Sequence, residues 1–153
     1  MGWLRASALL LAGGLVIAFG GCSRESEGVP DSPRTVDRPI ERIVALVPAA
    51  TEALVLLGAR DRLVGRTDYD TAQVVAALPS VGGGLQPNLE ILRTLEPDVV
   101  VAFAGESDVR TAQVLEEMGI PVLEVRPSRI GDVRAMVDQL GRLVGAEGRA
   151  DEL

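Results

Sequence analysis

The residues able to do chemistry here are few, and the missing types exclude as much as the present ones permit. Histidine is absent, so a Ser-His-Asp triad, an HExxH zinc site and an imidazole base are all excluded. One cysteine, Cys22, makes no intrachain disulfide, no CxxC pair and no cysteine-rich zinc site. All 15 basic residues are arginines, which removes the lysine of a GxxxxGK[ST] phosphate loop. GxSxG is missing too, so no nucleophile elbow is visible. Gly82-Gly83-Gly84 sits between Pro79-Ser80-Val81 and Pro87-Asn88, not in the strand–GxGxxG–helix setting of a dinucleotide site. What remains is Tyr69 between Asp68 and Asp70, and Phe103 at the end of an apolar run. Two carboxylates in one loop could hold a cation for metal-dependent hydrolysis, but they lack the oxygen count calcium needs. Solvated turn residues are the plainer reading. Tyr69 and Phe103 are the only aromatics beyond residue 19, so they alone could stack on a ligand ring. A phenylalanine ending a buried strand is equally often core. With 22 acidic residues and a net charge of −7, the chain also lacks the basic face of a nucleic-acid binder.

The segment before these residues reads as an address. Arg5 precedes an apolar run from Ala6 to Phe19, and Gly20 and Gly21 lead directly onto Cys22. Charge, apolar run and small residues are the plan of a secretory signal, and the run is shorter than the ~20 residues of a comfortable membrane span. The ending on the cysteine resembles a bacterial lipoprotein signal, with cleavage before Cys22 and lipid attachment to it, although Phe19 departs from the usual aliphatic residue. A buried thiol at the end of a membrane anchor is the alternative. Residues 23–39, SRESEGVPDSPRTVDRP, are polar and rich in proline and charge, the composition of a tether. The expected organisation is a signal peptide over 1–21, a tether over 22–39, a ligand-binding lobe over 40–127 and a helical segment over 128–153.

The lobe must position the candidate residues. Arg42–Val47 (RIVALV) reads as a strand covered on both faces. Thr51–Leu57 reads as a helix ended by Gly58. Leu63–Thr67 is a second strand, and Thr71–Leu78 a helix stopped by Pro79. Asn88 caps a helix to about Leu95, with Glu90 in its first turn. Asp98–Phe103 is a third strand; Ser107 caps a helix to Met118; Pro121–Val125 is a fourth strand. Ile130, Val133, Val137, Leu140 and Val144 mark one face of a last helix. Strands alternating with helices imply an α/β fold, a parallel sheet with right-handed crossovers. Functional loops of such a sheet lie at the carboxyl ends of the strands. That rule nominates Pro48-Ala49-Ala50-Thr51, Asp68-Tyr69-Asp70, Gly82-Gly83-Gly84 and Ala104-Gly105-Glu106-Ser107.

PxxTE after the first strand (Pro48 to Glu52), VGxTDY (Val64 to Tyr69), VGGxxxPNLE (Val81 to Glu90) and LxPDVVxAF (Leu95 to Phe103) occur in this order. Together they resemble the N-terminal lobe of helical-backbone substrate-binding proteins of bacterial ABC importers. That family binds cobalamin, ferric siderophores and haem, and the cobalamin-binding type is the most similar. The resemblance implies a Rossmann-like lobe of a two-lobed receptor that makes and breaks no bond and needs no cofactor or bound metal. It implies ligand contacts at Pro48, Ala49, Thr51, Tyr69, Gly84, Phe103 and Gly105. Phe103 stands where the cobalamin receptor has a tryptophan, and Gly84 near another of its aromatic contacts, leaving a barer wall. Glu90 matches the acid that docks onto arginines of the permease, although an acid in a first helical turn is also favoured by the helix dipole. The implied partners are a corrinoid or iron chelate, the permease–ATPase complex and, through Cys22, a membrane at the cell envelope. The family's interlobe helix would start near Gly148–Leu153, so the sequence reads as a truncated receptor. A metal-dependent envelope enzyme using Asp68 and Asp70, or a lipid-anchored interaction module, are the alternatives.

Overall fold

The computed structural model describes residues 39–105 and 109–153. The proposed signal, Cys22, the tether up to residue 38 and the Ser107 cap lie outside the described residues. Four strands form one parallel sheet: β1 (Ile43–Ala45), β2 (Leu63–Gly65), β3 (Val99–Phe103) and β4 (Val122–Val125). Their order is β2-β1-β3-β4, every neighbouring pair parallel, with Ile43 opposite both Leu63 and Val99. The helices are α1 (Pro48–Leu56), α2 (Leu89–Thr94), α3 (Val109–Glu117), α4 (Ile130–Val144) and α5 (Glu147–Glu152).

The uninterrupted apolar strands are explained by a core on each face. Ile43, Ala45, Val99 and Val101 point to one side, where they meet Ala50 and Leu54 of α1, Met136, Leu140 and Val144 of α4, and Ala150 of α5. Val44, Leu46, Val100 and Ala102 point to the other, against Leu92 of α2 and Leu115 of α3. The two-residue side-chain period of a strand makes this division automatic.

Helix boundaries differ from the expected ones where local chemistry decides. Helix α1 begins at Pro48, three residues early, because proline at the first helical position surrenders no hydrogen bond. It ends as expected, with Gly58 left-handed at φ +83°. The helix expected over Thr71–Leu78 is only a 3-10 turn at Gln73–Val75. Of residues 71–77 only Val75 is buried, so no apolar face repays helix nucleation. In α4 burial starts at Met136; Ile130 and Val133 remain exposed, so the buried stripe is shorter than the expected one and includes a methionine.

Candidate ligand-binding site

The strand order changes direction between β1 and β3, because the chain moves from β1 outward to β2 and then returns past it to β3 and β4. In a parallel sheet the crevice at such a switch point, outside the carboxyl ends of the strands, is where ligands bind. A hollow of about 560 Å³ lies there, lined by the residues after β1 (Leu46, Val47, Pro48), Tyr69 beyond β2, the run Gly83–Gln86, and Phe103 at the end of β3.

Three of these positions follow from the strands themselves. Leu46 continues β1 and donates its N–H to the Val101 carbonyl at 2.8 Å, which places Pro48 beside the end of β3. Phe103 is half-buried and packs against the core as well as lining the hollow, so the core and ligand-facing readings both apply. Tyr69 sits on the turn beyond β2 and is 70% exposed.

The fourth wall is the Gly83–Gln86 run, bare backbone at its two glycines. Gly82 and Pro87 form an antiparallel bridge that closes the Gly83–Gln86 loop. Gly84 lies so close to β1 that a Cβ added there would collide with the Leu46 carbonyl oxygen. Glycine at this position therefore lets the loop seat on the strand end; the bare wall follows from that contact.

The expected site residues divide accordingly. Pro48, Tyr69, Gly84 and Phe103 share the hollow. Thr51 is buried in α1 and lines a second hollow of about 310 Å³ on the other side of Pro48 and Tyr69, together with Glu52, Leu56, Asp70 and Val74. Ala49 is exposed and Gly105 half-buried, and neither lines a hollow. Leu46, Val47, Leu85 and Gln86 line the main hollow without having been singled out; each lies beside a nominated loop, which was the available signal.

Glu90 is exposed in the first turn of α2, above the hollow's glycine loop in sequence. Asn88 caps that helix, its Oδ1 accepting from the N–H groups of Glu90 at 3.0 Å and Ile91 at 3.1 Å. The Asp68 and Asp70 carboxylates are engaged separately. Asp68 Oδ1 accepts from Ser80 Oγ, whereas Asp70 Oδ2 accepts from Thr67. Asp70 is buried, not the solvated turn residue expected. Among the described residues no group of three or more Cys, Asp or Glu side chains is arranged to hold a metal ion.

The main hollow carries no charged side chain: its polar groups are the Tyr69 phenol, the Gln86 amide and backbone. It can therefore offer stacking and dispersion to an apolar ring face, with orientation set by a few hydrogen bonds. The periplasmic binding protein family matches residues 43–153. The chain belongs to this family.

Among its relatives is an uncharacterised ABC transporter substrate-binding lipoprotein, YvrC, of Bacillus subtilis, 30% identical over 78% of this chain and 39% of that protein. The vitamin B12-binding protein of Vibrio vulnificus is 28% identical over 68% of this chain and 38% of its own length. The structure of a periplasmic haem-binding protein from Pseudomonas aeruginosa superposes with a TM-score of 0.68 at 26% identity, covering 74% of this chain and 41% of that one. The chain thus spans about two-fifths of the length of the curated relatives it matches. Within the periplasmic binding protein fold, which has two lobes, the described residues form one lobe.

Proposed function

We propose that this protein is the ligand-capturing component of an ABC importer, taking a corrinoid, haem or ferric siderophore outside the cytoplasmic membrane and handing it to the permease. The observation that carries this reading is the uncharged hollow at the switch point, with Tyr69 and Phe103 converging on it from two different strand ends. A ligand with a broad apolar face matches those walls. The relatives that bind vitamin B12 and haem support that ligand class. The iron or cobalt of such a ligand is cargo, and the protein's part is shape and stacking, with no reaction catalysed.

Attachment of lipid at Cys22 would keep the lobe at the membrane where the permease works, and the polar residues 23–39 would give it reach. Exposed Glu90 at the start of α2 is the proposed docking acid. Complementary charge steers encounter and register more than it adds affinity.

Two substitutions separate capture from delivery. Y69A with F103A should weaken binding of cyanocobalamin or haemin by roughly 10-fold for each ring removed, the worth of an aromatic contact. E90R should leave that binding unchanged while lowering uptake in cells that depend on the protein. Loss of binding in E90R would remove Glu90 from the docking surface, and retention of full affinity in the double aromatic variant would overturn the assignment of the hollow.

A further inference from the structure

Tyr69 has a demanding position. Its ring is largely exposed on a turn between two hollows, so nothing packed over it keeps it in place. A ring free to wander would lose conformational entropy each time a ligand pinned it, and that loss weakens binding. The bracing is instead beneath the turn and to its side. Thr67 is fully buried and Asp70 is 6% exposed. Asp70 Oδ2 accepts from both the Thr67 N–H and the Thr67 hydroxyl, each at 2.7 Å. The Thr67 hydroxyl oxygen in turn accepts from the Tyr69 N–H at 3.2 Å, and the Asp70 N–H donates to the Thr67 carbonyl at 3.3 Å. Both ends of the turn therefore close on one threonine.

The other carboxylate ties the turn sideways. Asp68 donates its N–H to the Gly82 carbonyl at 2.9 Å, and its Oδ1 accepts from Ser80 Oγ at 2.5 Å. Ser80 Oγ also accepts from the Gly82 N–H at 3.0 Å. Asp68 thereby fastens the tyrosine turn to the base of the glycine loop that forms the facing wall. Asp70 is the buried carboxylate of the pair, and its two hydrogen bonds from Thr67 offset the cost of that burial, whereas Asp68 adds an exposed tie to the side.

Resting on the reading of Tyr69 as part of the ligand wall, we propose that Thr67, Asp68, Asp70 and Ser80 are positioning residues that fix the turn from which the Tyr69 ring projects and so restrict the space the ring can sweep. The two aspartates then serve the geometry of the wall and not a cation.

The chain has one tyrosine, so 3-fluorotyrosine labelling of the full chain yields one protein 19F resonance, and that resonance reports Tyr69 alone. In the free protein its linewidth should narrow toward that of a mobile tyrosine in T67V and in S80A. T67S, which keeps the hydroxyl, should stay near the parent value. D70N should also hold, because an amide oxygen can accept both Thr67 bonds, whereas D70A should narrow. Affinity for cyanocobalamin and haemin should fall roughly 3- to 10-fold in T67V and S80A, the cost of ordering one side chain on binding. Unchanged linewidths in T67V and S80A overturn the proposal, and so does narrowing in T67S equal to that in T67V. Ser80 is half-exposed, so S80A alone decides the matter if T67V lowers the melting temperature too far. If the parent chain binds neither probe even at high micromolar concentration, the corrinoid and haem members of the ligand class fail for this lobe, while the linewidth series still decides whether the lock holds the ring.

Discussion

Gly84 combines two roles at the scale of one residue, lining the hollow and pressing the loop against β1. G84A forces a methyl group onto the Leu46 carbonyl oxygen, so the loop or the strand end must move. Overpacking of this kind costs about 1–3 kcal/mol, to be read from the midpoint of denaturant unfolding. An unfolding midpoint equal to that of the parent would show that the loop relaxes without resistance. The sequence marked Gly84 as a gap in the wall, and the glycine run was legible as a loop. The close approach was not, because it depends on a carbonyl nearly forty positions away. The burial of Asp70 is illegible in the sequence for a similar reason: its partner Thr67 is local, but burial of the pair comes from the tertiary packing. Tyr69 and Phe103, by contrast, were legible because aromatics are so scarce here that two at strand ends stood out.

The cap residue Asn88 and the first-turn acid Glu90 make helix α2 legible in the sequence. Helix α2 has a cap at one end and a clamp at the other. Asn88 satisfies two free N–H groups of its first turn. Arg42, just before β1, donates to the Leu95 carbonyl from Nε at 3.1 Å and Nη2 at 2.7 Å, and from Nε to the Glu96 carbonyl at 3.2 Å. N88A should therefore cost about 1 kcal/mol of stability, the usual value of an N-cap, while leaving the hollow intact. The Asn88 backbone N–H, which the substitution keeps, still donates to the Val81 carbonyl, so a loss far above that value would mean that the side-chain cap also holds the glycine loop in place. The Thr71–Leu78 segment had only alanines and a terminating proline in its favour, and without an apolar face it stayed a turn. Helix α4 was correctly placed, but periodicity could not tell which turns of its stripe meet the lobe. L140A should cost about 2–5 kcal/mol as a fully buried leucine truncation. I130S should leave thermal unfolding within about half a kcal/mol of the parent, since Ile130 is 92% exposed. A destabilisation by I130S comparable to that by L140A would show that the first turn of α4 is covered in solution.

For the whole molecule the deciding quantity is how much of a ligand one lobe can enclose. Tight small-molecule sites bury roughly 70–90% of the ligand surface. The hollow has the volume for a sizeable ligand, yet Tyr69 and Leu85 on its rim are 70% and 58% exposed, so one face of any occupant stays in water. The lobe's hydrogen-bonded lock and seated glycine loop lower the entropic cost of binding, but they add no enclosing surface. Binding of cyanocobalamin or haemin by this chain alone should accordingly half-saturate above about 1 μM, where the free energy is still weaker than roughly −8 kcal/mol. Isothermal titration with each probe measures this directly. Half-saturation well below that concentration would require a second enclosing surface, and sedimentation of the complex would show whether another copy of the chain supplies it. With weak binding to a monomeric lobe, the stacking wall acts as half of a cleft, and affinity is completed by whatever surface faces it.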